Sequence, residues 1–249
     1  MGVLNLTPDS FSGDGVGDDI EAAVAKAKRL VDDGADIIDI GGESTRPGSK
    51  PVSADDELRR VMPVIERLAG ELSVPISIDT YKSSVASRAV KAGAEMINDV
   101  WGLKRDPRLA RVAAEAGVPI VLVSYLQDTV RYDIIAEVVS SLEKGIEQAM
   151  EAGVARQNII VDPGIGFGKN AEQNLEIIRR LTELRSLNRP ILLGTSRKFM
   201  LNQPPDQRLE ATAATVAIGI ANGADMVRVH DVRQMVQVCR MSDFIIRRR

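Results

Sequence analysis

The sequence is poor in the side chains that most metal sites and disulfides require. Among its 249 residues it has one cysteine, Cys239, and one histidine, His230. A single cysteine excludes an internal disulfide and a multi-cysteine metal site, and it suits a reducing compartment. A single histidine excludes any site that needs two, such as the zinc site of a His-Glu-x-x-His metalloprotease. No Gly-x-Ser-x-Gly turn is present, which argues against a hydrolase with a serine nucleophile.

Strong net charge and long apolar runs are also missing. The formal net charge is −3, and hydrophobic and charged residues make up 44% and 27% of the chain, as in ordinary globular proteins. This balance leaves no basic face for nucleic acid. No run approaches the length of a membrane span, and the start of the chain lacks a signal-peptide pattern. We therefore expect a cytoplasmic protein with neither nucleic acid nor membrane as a partner.

What the sequence does contain is a regular alternation of short apolar runs with longer amphipathic segments. The short runs predict eight strands, at 2–4, 37–39, 76–78, 95–98, 119–123, 159–161, 190–193 and 226–229. The amphipathic segments predict helices at 20–33, 55–72, 82–92, 107–116, 134–152, 170–185, 207–221 and 232–246.

Several predicted helices end at a glycine that is followed at once by the next strand. Gly34, Gly93, Gly117, Gly153 and Gly223 all have this position, which suits a left-handed helix cap. Strands joined through helices must run parallel. Eight such units in about 250 residues predict an α/β fold, a closed (β/α)₈ TIM barrel formed by one domain over residues 1–249. A doubly wound open sheet is the alternative, but no Gly-x-Gly-x-x-Gly follows the first strand.

Polar residues stand at or just after the end of nearly every predicted strand. In a barrel these ends share one mouth, where active sites lie, and buried polar groups are costly unless paired. The sixth strand runs into Asp162 and a turn with three glycines, residues 162–169, which lets a flat ligand approach the backbone. The strand-end residues are Asn5, Asp39, Asp79, Asn98, Ser124, Asp162, Ser196 and Arg228 with His230.

This set of side chains allows more than one chemistry. Asp79, Asn98 and Asp162 supply acceptors for a flat heterocycle with several N–H groups, such as a pterin or guanine ring. Paired carboxylates also suit a metal ion or acid–base catalysis. Lys198 could bind a ring carbonyl or nitrogen, or be a solvated lysine at a helix start.

The last predicted strand suggests a second small site. Arg228 and His230 are two residues apart at its end and suit a phosphate. Alternatively, Arg228 pairs with a nearby carboxylate such as Asp225. Some strand-end groups, Asp39 among them, could also bond only to each other.

Assembled in order, these segments resemble the dihydropteroate synthase family of pterin-binding TIM-barrel enzymes, almost from end to end. Seven motifs carry the resemblance: GVLNLTPDSFS (2–12), DIIDIGGESTRPGS (36–49), SIDTYK (77–82), INDVWG (97–102), DPGIGFGK (162–169), GTSRK (194–198) and VRVHDV (227–232). The resemblance implies a transferase of folate biosynthesis. Such an enzyme joins 6-hydroxymethyl-7,8-dihydropterin diphosphate to 4-aminobenzoate and releases pyrophosphate and 7,8-dihydropteroate.

The resemblance also implies roles for individual residues. Pterin contacts fall on Asp79, Asn98, Asp162 and Lys198, and diphosphate contacts on Arg228 and His230. Asn5 lies near an Mg²⁺ ion that accompanies the pyrophosphate. Thr45 and Arg46 match the substrate-contacting pair of the second loop, Phe11 matches a lid position over the aminobenzoate, and Phe167 and Gly194 complete the substrate-binding set. The last helices of the family usually form a homodimer interface.

The sequence departs from the family pattern at several positions. The fifth strand ends in Leu122-Val123-Ser124-Tyr125-Leu126 where Leu-Met-His-Met is usual, and Phe199 stands where a serine often follows Ser-Arg-Lys. The first loop reads Ser-Gly-Asp-Gly instead of Ser-Asp-Gly-Gly, and the chain starts at the first barrel strand. Two other functions are therefore considered: a methyltetrahydrofolate:corrinoid methyltransferase of the same fold, and a pterin-binding protein without catalysis.

Overall fold

The structure is a computed structural model that describes residues 1–7, 19–45, 49–126, 133–198 and 208–247. Strands and helices alternate along these ranges. The strands are β1 (Gly2–Asn5), β2 (Ile38–Gly41), β3 (Ile76–Asp79), β4 (Met96–Asp99), β5 (Ile120–Val123), β6 (Ile159–Asp162), β7 (Leu192–Leu193) and β8 (Met226–Val227). The helices are α1 (Ile20–Asp32), α2 (Ala54–Ala69), α3 (Ser83–Lys91), α4 (Arg108–Ala116), α5 (Ile134–Glu151), α6 (Ala171–Arg179), α7 (Leu209–Ala221) and α8 (Val232–Ile246).

The strands close into a parallel ring. Strands β1 to β6 pair in sequence order, and β7 pairs with β8. Two further parallel bridges, Val161 with Ile191 and Gly2 with Val229, join these two sheets at both edges. The predicted (β/α)₈ barrel is therefore confirmed, and the open doubly wound sheet is excluded.

The helices begin and end where the sequence supplies caps. The side chains of Ser53 and Asp133 accept hydrogen bonds from the first turns of α2 and α5, and Asn170 forms a capping box with Gln173 at the start of α6. The five predicted cap glycines all have positive φ: Gly34, Gly93, Gly117, Gly153 and Gly223. No helix in the described ranges is long and apolar enough to cross a bilayer.

Several predicted boundaries were wrong. Helix α2 ends at Ala69 instead of Leu72, and β8 ends at Val227 instead of Val229. The helix predicted to run to Arg185 ends at Arg179, and a 3₁₀ helix follows at Leu181–Leu187. Leu181, Leu184 and Leu187 are all buried, and their spacing of three matches the three residues per turn of a 3₁₀ helix. Strand β7 is also shorter than predicted, since Pro190 has no N–H to donate to a ladder.

The barrel interior changes from apolar to polar along the strands. Because side chains alternate along a strand, one residue in two faces inward. The lower interior is filled by a buried apolar cluster that includes Met1, Met96, Val121, Ile160 and Leu192. Two residues further along β4 and β6, the inward positions are Asn98 and Asp162, so the polar layer lies at the carboxyl ends of the strands.

Candidate active site

Strand register places the predicted polar residues side by side. Asn5 pairs with Gly41, Gly41 with Asp79, and Asp79 with Asn98. On the other side of the ring, Val123 pairs with Asp162. Parallel strands end at one edge, so these side chains share the carboxyl-end mouth of the barrel, as the sequence predicts.

The acidic and amide side chains of this mouth hold unused hydrogen-bonding capacity. Asp79, Asn98 and Asp162 are buried, with 8%, 2% and 6% of their surfaces exposed. Among the described residues, Asp79 Oδ1 and Asn98 Oδ1 have no hydrogen-bond partner. Asp162 Oδ1 accepts from the Gly164 N–H at 2.6 Å. Buried oxygens are rarely left without a donor, so the pair at Asp79 and Asn98 is suited to N–H groups of a ligand.

Burial also changes the proton affinity of the two acids. It raises the pKa of Asp79 to about 7, although the positive charge of Arg228 opposes the rise. Burial likewise raises the pKa of Asp162 above its ordinary value, against the attraction of Lys198. A carboxylate is less stable away from water than the neutral acid, so a ligand that donates hydrogen bonds would stabilise the ionised forms.

Lys198 lies beside Asp162 and Phe167. A Cβ added at Gly194 would lie 3.7 Å from Asp162 Oδ2 and 3.8 Å from Lys198 Nζ, so the bare glycine backbone borders both groups. Lys198 Nζ donates to the Ile165 carbonyl and lies 4.4 Å from the centroid of the Phe167 ring. Burial lowers the pKa of the Lys198 ammonium to about 8. Lys198 is thus part of the site and is not a solvated lysine.

The residue before Lys198 has an unusual backbone. Arg197 has a φ of 56°, in the left-handed region that non-glycine residues seldom adopt. Its Nε and Nη2 atoms donate to the two oxygens of Asp231 at 3.0 and 2.6 Å, and its backbone N–H donates to Thr212 Oγ1. Such a conformation persists only when several contacts fix it. The ion pair of Arg197 with Asp231 therefore helps to fix the backbone that holds Lys198 beside Asp162.

Arg228 crosses the mouth towards β2 and β3. Its Nε donates to Asp39 Oδ2 at 2.6 Å, and its Nη2 donates to Asp79 Oδ2 at 2.7 Å. Asp225, the alternative partner considered from the sequence, accepts instead from the Ile191 N–H, so that alternative is wrong. The two carboxylates raise the pKa of Arg228 further above its ordinary value.

His230 is engaged by a different partner from Arg228. Its Nδ1 atom lies 2.9 Å from Ser196 Oγ, and its backbone N–H donates to the same oxygen at 3.1 Å. Ser196 and His230 thus tie the end of β7 to the end of β8. A shared phosphate site of Arg228 and His230 stays a prediction.

A lysine holds the glycine turn after β6 in place. Lys169 Nζ donates to the carbonyls of Ser124, Gly164 and Phe167 at 2.6, 3.0 and 3.1 Å. Gly164 has a φ of 72°, and a Cβ there would lie 2.1 Å from the Ser124 carbonyl, so only glycine fits. Burial lowers the pKa of Lys169 to about 7. The sequence did not indicate this role, because nothing in the motif shows which carbonyls the ammonium reaches.

An open cleft of about 290 Å³ is lined by Phe167, whose ring lies next to Lys198 Nζ, but not by Asp79, Asn98 or Asp162. Aromatic rings form one wall: Trp101 stacks on Tyr125 with centroids 3.9 Å apart, and Tyr125 lies 5.9 Å from Phe167. The second loop, including Thr45, forms part of the opposite side. The cleft therefore suits a flat ring that enters past Phe167 towards Asp162 and Lys198.

The base of the second loop is fixed by a buried ion network that the sequence did not indicate. Lys82 Nζ binds Glu43 of this loop and, at 2.5 Å, Glu57 of α2. Arg60 donates to the Gly42 carbonyl at 2.8 Å. These contacts hold the residues that precede Thr45.

Three residues of the sequence analysis lie outside the described ranges: Phe11, Arg46 and Phe199. Asn5 lies at the end of β1, next to Gly41. Among the described residues there is no group of three or more acidic, histidine or cysteine side chains that could hold a metal ion.

Residues 1–230 match the family described as "Pterin binding enzyme". The chain is 52% identical over 250 residues to dihydropteroate synthase of Bacillus subtilis, covering 99% of this chain and 88% of the relative.

Solved structures show the same likeness. Dihydropteroate synthase from Clostridium difficile, determined in the presence of pteroic acid, has a TM-score of 0.94 at 49% identity, and the match covers 99% of this chain and 96% of that one. The Xanthomonas albilineans enzyme with 4-aminobenzoic acid has a TM-score of 0.92 at 42% identity and covers 98% and 92%.

Proposed function

The chain belongs to the pterin-binding enzymes, and within them to the dihydropteroate synthases, and we propose that it joins 6-hydroxymethyl-7,8-dihydropterin diphosphate to 4-aminobenzoate. The products are 7,8-dihydropteroate and pyrophosphate, and the reaction is the transfer of a pterin-methyl group in folate biosynthesis. The observation that carries this function is the pair of buried, unpartnered acceptors, Asp79 Oδ1 and Asn98 Oδ1, on neighbouring strands at the mouth of the barrel.

The pterin ring occupies the polar layer in this proposal. Its ring and exocyclic N–H groups donate to Asp162 and to the Oδ1 atoms of Asp79 and Asn98, which have no partner among the described residues. Lys198 donates to an acceptor atom of the ring. Charged hydrogen bonds of this kind in a buried site are stronger than neutral ones. Gly194 leaves room for the ring next to Asp162 and Lys198.

The diphosphate group lies towards β8 and β1. Arg228 and His230 are the residues assigned to it, and Asn5 offers one amide oxygen to an Mg²⁺ ion carried by the diphosphate. Mg²⁺ commonly takes most of its ligands from substrate phosphates and water and only one or two from protein, so the single amide of Asn5 fits that arrangement. When bound, Mg²⁺ would neutralise charge on the leaving group.

The chemistry needs no protein nucleophile. The bond between the pterin methylene carbon and the diphosphate oxygen breaks, and both electrons leave with the pyrophosphate. The ring and the carboxylates of Asp79 and Asp162 stabilise the resulting cation. The amine of 4-aminobenzoate then attacks the methylene carbon and loses a proton. The single histidine and the single half-buried thiol of Cys239 agree with a reaction without covalent catalysis.

The aminobenzoate approaches through the cleft. Phe167 borders both the cleft and Lys198, and Thr45 faces the cleft from the second loop. An aromatic ring can pack against Phe167 while its amine points inward. Phe11 and Arg46 complete this subsite in the proposal.

The proposed assembly is a homodimer through the last two helices. Helices α7 and α8 pack on each other, and α8 exposes Met241, Phe244 and Ile245, with 60%, 71% and 68% of their surfaces accessible. Large apolar side chains that are exposed together often mark an interface. The proposed location is the cytoplasm, since one unpaired cysteine suits a reducing compartment.

The test is pyrophosphate release by the purified protein with the dihydropterin diphosphate, Mg²⁺ and 4-aminobenzoate. Release that depends on aminobenzoate, with dihydropteroate formed, supports the synthase. Pterin binding without release under these conditions would instead identify a pterin-binding protein without catalysis.

A further inference from the structure

Asp39 is a fully buried carboxylate at the mouth of the barrel, where it binds Asn98 and Arg228. None of its surface is exposed. Its Oδ2 atom accepts two hydrogen bonds, from Asn98 Nδ2 at 3.1 Å and from Arg228 Nε at 2.6 Å. One atom thus binds a residue assigned to the pterin and a residue assigned to the diphosphate.

The bond to Asp39 fixes which way the Asn98 amide is turned. An ionised carboxylate can only accept hydrogen bonds, so Asn98 must direct its NH₂ group towards Asp39. The carbonyl oxygen of Asn98 is then the atom left for a ligand, and it has no partner among the described residues. Without Asp39, either end of the amide could face the ligand.

The same oxygen also fixes the Arg228 guanidinium. Arg228 binds Asp39 through Nε and Asp79 through Nη2, so its plane is held by two strands at once. This leaves Asp79 Oδ1, which also has no partner among the described residues, available to a ligand. Asp39 therefore sets the orientation of both groups that flank the ligand.

We propose that Asp39 is a positioning residue that makes Asn98 a hydrogen-bond acceptor and orients Arg228, so that the mouth selects a ligand ring presenting N–H donors. This inference rests on the proposed pterin pocket and explains why that pocket offers hydrogen-bond acceptors to its ligand. Asp39 does not touch the substrate; it acts through Asn98 and Arg228.

The decisive experiment compares two variants of Asp39. Asp39→Leu removes the acceptor that Asn98 Nδ2 and Arg228 Nε share, so neither group is oriented any longer. Asp39→Asn keeps one acceptor: its carbonyl oxygen can take the place of Oδ2 and accept both hydrogen bonds, while its NH₂ group takes the place of Oδ1, which has no partner among the described residues.

The readout is the affinity for 6-hydroxymethyl-7,8-dihydropterin diphosphate with Mg²⁺, measured by calorimetry without aminobenzoate. Asp39→Leu is expected to weaken binding by roughly tenfold or more, the scale of a lost charged hydrogen bond. Asp39→Asn is expected to bind more tightly than Asp39→Leu, because its carbonyl oxygen still accepts from Asn98 and Arg228.

Asp99→Asn is the matched control. Asp99 is also a buried aspartate on β4, but its oxygens accept from the backbone N–H groups of Trp101 and Leu103. This change is expected to lower the melting temperature and to leave pterin affinity within about twofold. A general loss of stability would therefore not imitate the result at Asp39.

Unchanged affinity in Asp39→Leu, or an Asp39→Asn variant that binds no better than Asp39→Leu, would overturn the inference. Either result can be interpreted only when the wild type binds the pterin. Failure of the wild type itself to bind would count against the proposed function, so the two failures are distinguishable.

Discussion

Asp79 and Asn98 are register partners on neighbouring parallel strands, and each has one buried side-chain oxygen without a partner among the described residues. Their second polar atoms are occupied, by Arg228 and by Asp39 respectively. Each of the two side chains is thus held by one contact within the protein and keeps one acceptor for a ligand.

The affinity for the pterin substrate should fall as the pH is lowered through about 7. Burial raises the pKa of Asp79 to about 7, so below that pH its carboxyl is protonated and no longer offers two acceptor oxygens. Binding that requires the ionised form then weakens by up to about tenfold for each further pH unit. Calorimetric titration across this range measures the effect, and an affinity that does not change with pH would contradict the role of Asp79.

Lys198→Met should reduce turnover by about tenfold or more, the scale of a lost charged hydrogen bond. The change removes the ammonium beside Asp162 and Phe167 but keeps the apolar stem. The melting temperature is expected to change little. Steady-state rates and thermal melts of the same preparations provide the measurement.

Lys198→Arg is the control for charge. Since the pKa of Lys198 is lowered to about 8, the ammonium is charged below that pH and neutral above it. Wild-type kcat/KM should therefore fall as the pH rises through about 8, and the arginine variant should lack this alkaline fall. A Lys198→Met rate equal to the wild-type rate would remove Lys198 from the proposed site.

Binding in the cleft should alter the fluorescence of Trp101. It is the single tryptophan of the chain, and it stacks on Tyr125 in the wall of the cleft. A ring that packs against this wall changes the surroundings of the indole. Titration with the pterin substrate and then with 4-aminobenzoate gives the signal, and binding detected by calorimetry without any change in emission would place the ligand elsewhere.

Phe244→Asp should shift the protein from dimer to monomer. Phe244 exposes 71% of its surface on α8, and a carboxylate buried in an apolar interface without a partner is costly. Sedimentation velocity of the wild type and the variant measures the change. Met150→Asp is the matched control, since Met150 is an exposed apolar residue on α5. A wild type that sediments as a monomer would refute the proposed interface.

The barrel and the content of its mouth could be predicted from the sequence, because both depend on local pattern. Apolar runs, cap glycines and strand-end polar residues recur at regular spacing, and the structure joins them in the expected order. The end of α6 at Arg179 was not predicted. A leucine at every third residue of Leu181–Leu187 fits both an α-helix and a 3₁₀ helix over so short a segment.

The pairings inside the mouth could not be predicted, because they join residues that are far apart in sequence. Asp39 and Arg228 are 189 positions apart, and no spacing rule indicates that they meet. The nearby Asp225 was the simpler partner to consider, and it was wrong. The bonds of Lys82 to Glu43 and Glu57, and the bond of Lys169 to the Ser124 carbonyl, were missed for the same reason.

The most direct test of the account is pyrophosphate release with both substrates, comparing the wild type with Asp162→Asn. Asp162 lies beside Lys198 and ends β6, and its loss should weaken pterin binding by about 1–3 kcal/mol. The account predicts that wild-type release requires 4-aminobenzoate, yields dihydropteroate and is strongly reduced in the variant at low substrate concentration. Absence of release from wild-type protein that binds the pterin, or equal rates in the two proteins, would contradict it.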